Sequence, residues 1–396
     1  MELMEGIRIL TDEKKIISGI NIAFGNAERF ETVSYGLGRE VMLQNGAFVQ
    51  DECPLSEETV FDLASVTKLF TALSVMQLME KGKLSLSDPL RKYDSRFSGI
   101  GDMEIYDLLA FQKTFSTPDR IDTQPDRENA LKQLFAAVPS PRPEKRFYTD
   151  MGAMVLKYVV ESCSDENYFS YLKGHILDPL GMSRTYAVLP ESEYPVTACY
   201  NYERRVLPDG TFSLDTDCPV GTVHDPKARV ISPDGTDLCG HAGLYSTIQD
   251  MTKLAQGLLN GVILSRDNLK EIGKNRTGSM LPDGTWTHHL GYLCYAKHPI
   301  QTFSEVPACF SDGTIALNGF TGNHFSVDPY KNRFMIHLSN RIHNRITMLT
   351  GRADHENHTE RAEWPDGNIY PVSQNYVYYK DQYLKNPIGQ ILEEKY

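Results

Sequence analysis

The sequence predicts an α+β fold, because strand-like and helix-like patterns occupy separate parts of the chain. Residues 16–25 and 31–38 alternate apolar residues with small or polar ones on either side of a Gly-Asn turn, which is typical of a β-hairpin. Residues 69–79 are apolar with almost no polar face, which indicates a helix buried on nearly all sides. A chain of 396 residues with 41% hydrophobic content is long enough to enclose such a helix in one large core.

The charge of the chain limits its partners. The chain has 40 basic and 52 acidic residues, a formal net charge of -12, and no basic run. This balance disfavours nucleic acid and an anionic membrane surface as the main partner. No apolar run is long enough to span a bilayer. The expected partner is therefore a small molecule, with no membrane or nucleic acid involved, and the sequence does not indicate an oligomeric state.

The N-terminus and the cysteines predict a cytoplasmic protein. Residues 1–15 contain acids where a secretory signal needs basic residues, and they include no uninterrupted apolar stretch. The seven cysteines are odd in number and have no Cys-x-x-Cys spacing. Such cysteines are typical of reduced thiols in the cytosol.

Ser65 and Lys68 form a candidate nucleophile and base where the apolar helix begins. Residues three apart share one face of a helix, so the Lys68 ammonium can reach the Ser65 hydroxyl. The helix N-terminus also favours negative charge near Ser65. A lysine in a dry pocket loses part of its preference for the charged form, so we expect a neutral Lys68 that accepts the serine proton. The alternative is a serine that only caps the helix.

The residues around this pair resemble the serine β-lactamase and penicillin-binding protein superfamily, in particular its class C-like esterases and peptidases. Members carry Ser-x-x-Lys at the start of a buried helix, followed by a Gly-Lys-Leu-x-Leu-x-Asp-Pro stretch, which here is residues 82–89. The lead-in at residues 54–62 also matches. The resemblance implies a β-lactamase/transpeptidase-like fold, with an antiparallel sheet flanked by helices and an all-helical lobe. It implies no cofactor.

Tyr148 and Asp150 occupy the second motif that the resemblance implies. Residues 146–156 are similar to Phe-x-Tyr-Ser-Asn-x-Gly, with Tyr148 as the phenol and Asp150 where asparagine is commoner. A phenol aimed at the serine can accept its proton or return one to the leaving group. The resemblance places Asp150 among the substrate-binding residues. The alternative for Tyr148 is a ring in the core with its hydroxyl in water.

The third motif is expected on a strand late in the chain. Residues 317–319, Leu-Asn-Gly, stand where relatives carry Lys/His-Thr-Gly, and residues 334–341 resemble the partner strand. Leu317 supplies no cation, so a substrate carboxylate loses its usual anchor. This favours neutral substrates and argues against β-lactamase activity. Asn318 remains a predicted substrate-binding residue.

Gly319 and Phe320 complete the predicted substrate site. Gly319 keeps the glycine of the motif, which lets the strand edge approach the substrate closely. The backbone N–H groups of Ser65 and Phe320 are then the predicted oxyanion hole.

Other segments depart from the family pattern or invite a metal assignment. Residues 111–114, Phe-Gln-Lys-Thr, replace the His-Thr-Ser-Gly of relatives, which changes the predicted pocket wall. His224 and His241 resemble a metal pair, but no third ligand follows at a regular spacing. We therefore expect no metal, with His241 beside the substrate site. The polar run at residues 354–358 is interpreted as solvated extension rather than as ligands.

The resemblance covers about residues 15–345 and implies a single catalytic module over residues 1–345. Its sheet part is expected from about residues 1–60 and 225–345, and its helical lobe from about 61–224. Residues 346–396 are expected to form a C-terminal extension that packs on the module. Its tyrosine-rich segment, 376–383, is expected to contact the module or another subunit.

The functional hypothesis is a serine hydrolase that forms an acyl-enzyme at Ser65, with Lys68 and Tyr148 moving the proton. Its substrate is expected to be an ester or amide of a small molecule or peptide. Because residues 1–15 do not resemble a secretory signal, this ester or amide is expected to be an intracellular one. One alternative is a cytoplasmic acyltransferase that moves the acyl group to a small metabolite. Another is a catalytically silent binding protein of the same fold.

Overall fold

The computed structural model describes residues 1–350 and 359–396, and a six-stranded antiparallel sheet organises it. The predicted polar run at residues 354–358 lies outside the described residues. The strands are β1 (Gly19–Gly25), β2 (Phe30–Gln44), β3 (Ala47–Pro54), β4 (Val60–Asp62), β5 (Thr114–Ser116), β6 (Val138–Ser140), β7 (Glu203–Val206), β8 (Phe212–Asp215), β9 (Tyr245–Thr247), β10 (Ile315–Asn318), β11 (His324–Asp328), β12 (Arg333–Ser339), β13 (Ile346–Leu349), β14 (Arg361–Glu363) and β15 (Ile369–Pro371).

Twelve α-helices are found within those described ranges, and none of them is both long and apolar enough to cross a membrane. They are α1 (Leu3–Arg8), α2 (Thr67–Glu80), α3 (Ile105–Leu109), α4 (Arg127–Phe135), α5 (Met151–Ser164), α6 (Tyr168–Leu172), α7 (Asp178–Leu180), α8 (Pro226–Ile231), α9 (Ile248–Leu259), α10 (Arg266–Ile272), α11 (Tyr376–Lys380) and α12 (Asn386–Lys395).

The main sheet joins the two ends of the chain. Its order is β10-β11-β12-β1-β2-β3, so β1 pairs with β12 from the far end of the sequence. The predicted hairpin is confirmed, since β1 and β2 pair antiparallel with Ile22 opposite Val33. β2 extends beyond the predicted strand to Gln44, because its second half pairs with β3. The predicted strand of the third motif is confirmed as β10, and the predicted strand at residues 334–341 as β12. β12 pairs with β11, which lies between it and β10.

Both faces of β1 are covered, and side-chain alternation assigns each residue to one face. Ile20, Ile22 and Phe24 belong to the cluster formed with the N-terminal helix and the C-terminal helices. Ala23 points the other way, into the large core that contains α2. The sheet therefore lies between a thin layer made by the chain ends and the main helical core.

The buried helix predicted after Ser65 is confirmed as α2, in which every residue from Thr67 to Leu78 is buried. Two of its polar residues bond to neighbouring backbone. Thr71 Oγ1 donates to the Gly240 carbonyl at 2.6 Å, and Gln77 Nε2 donates to the Ile263 carbonyl at 2.7 Å. These bonds remove the penalty of burying unpaired polar groups.

Residues 346–349 also join the body of the protein. β13 pairs parallel with β7, which pairs antiparallel with β8. Further along, Tyr376, Leu384 and Ile388 lie in the same apolar cluster as β1. The C-terminal segment is therefore packed on the rest of the described chain and reaches the site described next.

Candidate active site

A cavity of about 240 Å³ opens in front of the half-buried Ser65. The predicted residues Tyr148, Asn318, Gly319 and Phe320 also line it. Ser65 comes from the turn before α2, Tyr148 from the segment before α5, and the other three residues from the end of β10 and the turn after it. Three segments far apart in sequence thus converge on one hydroxyl.

The turn that carries Ser65 is held in an unusual conformation. A 3₁₀ turn, Ala64–Val66, precedes α2, so Ser65 lies just before the helix rather than in its first turn. Ala64 has a φ of 46°, in the left-handed region that costs a non-glycine residue about 1 kcal/mol or more. The buried Asp62 carboxylate offsets this cost by accepting hydrogen bonds from the Ala64 and His224 amides, each at 2.8 Å.

The strand edge of the third motif is tied to the same turn. Thr321 Oγ1 and Asn323 Nδ2 donate to the Asp62 carbonyl at 3.0 and 2.8 Å. At Gly319, a Cβ atom would lie 2.6 Å from the Leu63 carbonyl oxygen, closer than any side chain tolerates. Gly319 is thus the residue that lets the two segments meet.

Phe320 is the next residue in the sequence after Gly319. Its amide has no hydrogen-bond partner within residues 1–350 and 359–396, whereas its carbonyl accepts from Arg341 Nε at 2.7 Å. A backbone N–H without a partner at a cavity wall is what an oxyanion hole requires. The oxyanion role of the Ser65 and Phe320 amides stays a prediction.

Lys68 is fully buried directly behind Ser65. Its Nζ donates to Ser65 Oγ at 2.8 Å and lies 2.8 Å from Asp150 Oδ1. Burial alone would lower the Lys68 pKa, but the Asp150 carboxylate outweighs burial and, together with Tyr148, raises the pKa above the usual 10.5. In contrast to the neutral Lys68 expected from burial, this raised pKa favours the ammonium form at neutral pH.

Asp150 pairs with two lysines and does not form part of the cavity wall. Its other oxygen, Oδ2, pairs with Lys227 Nζ at 2.9 Å. Although burial opposes its ionisation, the charges of Lys68, His241 and Lys227 hold the Asp150 pKa well below its usual 3.8. Neither Asp150 nor Lys68 is among the residues that line the cavity. The structure thus places Asp150 behind the predicted substrate site.

Tyr148 is fixed between two aromatic rings. Its ring stacks on Tyr295, with centroids 5.1 Å apart, and on Phe111, with centroids 5.5 Å apart. Lys68 Nζ lies 5.1 Å from the centroid of the Tyr148 ring. Phe111 belongs to the segment that replaces the His-Thr-Ser-Gly of relatives, so this departure in sequence supplies a buried support for the phenol.

The two histidines considered as a metal pair each bind their own carboxylate. His224 Nε2 lies 2.9 Å from Glu203 Oε2, and His241 Nε2 lies 2.9 Å from Asp225 Oδ1. His241 is fully buried and does not line the cavity, in contrast to its expected position. Asp150, Asp225 and His241 place ligand atoms within 4.8 Å of one another. Both oxygens of Asp150 are already paired with lysines, so a metal ion there would have to displace ammonium groups.

Two cations that sequence analysis missed line the cavity, Arg341 after β12 and Lys380 at the end of α11. Lys380 pairs with Glu305, which also interacts with Lys385. Burial, helped by Lys385, lowers the pKa of Lys380 to about 8 against the attraction of Glu305. The preference for neutral substrates inferred from Leu317 therefore no longer follows. In the sequence, the tyrosine-rich composition of residues 376–383 was the only signal that the segment carrying Lys380 contacts the rest of the protein.

The model of the family described as "Beta-lactamase" matches residues 32–356 of the chain. The protein belongs to the β-lactamase family. This family consists of β-lactamase-like serine hydrolases, and the fold of the protein is the β-lactamase/transpeptidase fold that the motifs implied.

The individual proteins that resemble this chain share little sequence identity with it. The chain is 28% identical over 313 residues to a protein of Escherichia coli O157:H7 named "Putative D-alanyl-D-alanine carboxypeptidase", covering 73% of this chain and 70% of that protein. Simvastatin synthase from Aspergillus terreus has a TM-score of 0.67 at 15% identity, covering 99% of this β-lactamase-family protein and 98% of that chain. EstCE1, a hydrolase with promiscuous acyltransferase activity, has a TM-score of 0.65 at 19% identity, with coverages of 85% and 92%. These structures establish the fold.

Proposed function

We propose that this protein hydrolyses an ester or amide of a small molecule through a covalent acyl-enzyme at Ser65. The observation that carries the proposal is the 2.8 Å contact between Lys68 Nζ and Ser65 Oγ at the wall of a cavity. A buried ammonium that donates to a serine oxygen stabilises negative charge on that oxygen. A serine that only caps a helix has no need of a buried lysine.

The charge of Lys68 assigns the proton transfer to Tyr148. An ammonium cannot accept the serine proton, whereas Tyr148 lines the same cavity and its ring centroid lies 5.1 Å from Lys68 Nζ. In the proposed step, Tyr148 reacts as the phenolate beside the Lys68 ammonium and takes the serine proton as Ser65 Oγ bonds to the substrate carbonyl carbon. The oxyanion lies between the Ser65 and Phe320 amides. Tyr148 then returns the proton to the leaving alcohol or amine, and water later releases the acid.

Acyl transfer is the second candidate, because the same acyl-enzyme reacts with an alcohol as well as with water. The names of similar proteins include a carboxypeptidase, a synthase and an acyl-transferring hydrolase. Adding a primary alcohol to the assay separates the two, since transfer diverts product from the acid to a new ester.

Turnover of a chromogenic short-chain ester by the native protein and by Ser65→Ala tests the proposal. We expect Ser65→Ala to lower kcat/KM by about a thousandfold or more. The matched control is Ser74→Ala, since Ser74 is a buried serine of α2 whose hydroxyl donates to the Phe70 carbonyl at 2.8 Å. Equal activity of native and Ser65→Ala proteins contradicts the mechanism, and inactivity of the native protein towards all esters and amides favours the silent binding protein.

A further inference from the structure

A second and larger cavity, of about 650 Å³, adjoins the cavity in front of Ser65. The two share part of their walls, namely Tyr295, Glu305, Val377 and Lys380. The cavity at Ser65, about 240 Å³, is large enough for a short acyl group, whereas a volume of about 300 to 1,000 Å³ is typical of sites for drug-sized ligands. A substrate that reaches Ser65 therefore has room to extend past the shared wall.

The wall of the larger cavity contains a row of aromatic rings. Ring centroids are 5.5 Å apart for Trp286 and His289, 4.5 Å for His289 and His298, and 5.5 Å for His298 and Phe303. Burial lowers the pKa of both histidines, so they present neutral rings at pH 7. Rings of this kind bind flat groups by stacking and edge contacts.

Large apolar side chains are exposed where the larger cavity opens. Phe303 is 69% exposed, and Ile300 and Val377 are 42% and 46% exposed. Contiguous exposed apolar side chains on a soluble domain usually mark a binding site. Their continuity with the cavity at Ser65 indicates that the substrate itself covers them.

Tyr148 shows which half of the substrate lies there. Its ring stacks on Tyr295, which lines both cavities, at an interplanar angle of 6°. Its backbone N–H donates to His288 Nδ1 at 3.3 Å, and His288 lines the larger cavity. Because Tyr148 is the proposed proton donor to the leaving group, the larger cavity is on the leaving-group side of the carbonyl.

We infer that the larger cavity binds the alcohol or amine half of the substrate, and that this half is a large apolar group with a planar ring. The inference rests on the proposed function. In the reaction the Ser65 oxygen bonds to the acyl carbon, the bond from that carbon to the alcohol oxygen breaks, and the proton on Tyr148 passes to that oxygen. The released alcohol is then held in the larger cavity, and in the reverse direction the same cavity holds an acceptor alcohol.

Butyrate esters of benzyl, naphthylmethyl and anthracenylmethyl alcohols test this, because these alcohols differ in ring size but little in acidity. We expect kcat/KM of the native protein to rise by about tenfold or more from the benzyl to the larger esters, an effect in the range that apolar pockets give. Ethyl esters of arylacetic acids of increasing ring size should show no such rise. A rise with the acid series, or no preference in either series, contradicts the inference.

Two substitutions in the wall of the larger cavity provide a second test of the inference. Phe303→Ala removes an aromatic wall, and Thr302→Trp fills part of the cavity from an exposed position. Each is expected to lower the ratio of kcat/KM between naphthylmethyl and ethyl butyrate by about tenfold. The matched control is Phe30→Ala, since Phe30 is 38% exposed on β2 and lines neither cavity. An unchanged ratio in both wall variants contradicts the inference.

A binding measurement separates this inference from the proposed function. In the Ser65→Ala protein, 9-anthracenemethanol is expected to quench the fluorescence of Trp286 saturably, and Trp286→Phe and Phe303→Ala should each reduce the effect. Saturable binding without ester turnover in the native protein supports the cavity and contradicts the hydrolase. Ester turnover without any such binding or size preference contradicts the cavity and leaves the hydrolase standing.

Discussion

Replacement of Lys68 by methionine is expected to lower kcat/KM for esters by about a thousandfold or more, with little change in KM. Methionine fills similar space but cannot donate to Ser65 Oγ or pair with Asp150, so the serine oxygen loses the charge that stabilises its nucleophilic form. Steady-state kinetics of native and Lys68→Met proteins measure the effect.

The matched control for this substitution is Lys157→Met. Lys157 is also a buried helical lysine paired with a carboxylate, that of Asp237, but it lies outside the cavity at Ser65. Both variants lose a buried ion pair and are expected to lose stability to a similar degree. If Lys157→Met loses activity as severely as Lys68→Met, the loss reflects folding, and the catalytic role of Lys68 is contradicted.

Tyr148→Phe is expected to lower kcat by about a hundredfold to a thousandfold, because it removes the group that accepts and returns the proton. The ring, and therefore the stacking on Phe111 and Tyr295, is retained. The loss should be smaller with esters of acidic alcohols, whose leaving groups need less protonation. Kinetics with phenyl and alkyl esters of one acid check this expectation.

Tyr168→Phe is the control for Tyr148→Phe. The Tyr168 hydroxyl is buried and lies 2.6 Å from Thr71 Oγ1, away from the cavity at Ser65. Its removal tests loss of a buried phenol hydroxyl alone, and we expect an effect on thermal unfolding without a comparable loss of kcat. Full activity of Tyr148→Phe would show that another group moves the proton.

The sequence was sufficient for the parts of the site that depend on local geometry. Ser65 and Lys68 lie within one helical turn, where spacing along the chain determines distance in space. The strands that bring Gly319 towards Ser65 were also predicted, because residues 317–319 and 334–341 resemble the third motif of the family and its partner strand. The family resemblance was carried by these same segments and implied the fold.

The charge of Lys68 was not predictable from that spacing. It depends on Asp150, which immediately precedes α5 and reaches Lys68 only because α5 packs on α2. The sequence did show an aspartate where relatives carry asparagine, and a carboxylate beside a buried lysine is the signal that indicates an ammonium. The apolar sequence around Lys68 indicates its burial, whereas the position of this carboxylate depends on tertiary packing.

The wall contributed by the C-terminal segment left almost no sequence pattern. Lys380 lies on the short helix α11, and its contact with Glu305 and its place beside the cavity arise from tertiary packing across the sheet. No spacing rule connects residues that far apart. The place of Lys380 beside the cavity is therefore evident only from the structure, in which the N-terminal and C-terminal segments pack together.

The pH dependence of kcat/KM, measured for the native protein and Asp150→Asn, tests most directly whether Lys68 acts as an ammonium. Asp150 raises the Lys68 pKa, so the native lysine keeps its proton to higher pH than usual. Without that carboxylate, burial lowers the Lys68 pKa. Asp237→Asn, which removes the carboxylate beside Lys157, is the control for loss of a buried ion pair.

We expect the native protein to stay active into the alkaline range, whereas Asp150→Asn loses activity progressively as the pH rises above neutral, because its Lys68 gives up the proton earlier. A variant that instead becomes more active at neutral pH, with its acidic limb moved to lower pH, would show that the neutral amine is the working form and would contradict this account.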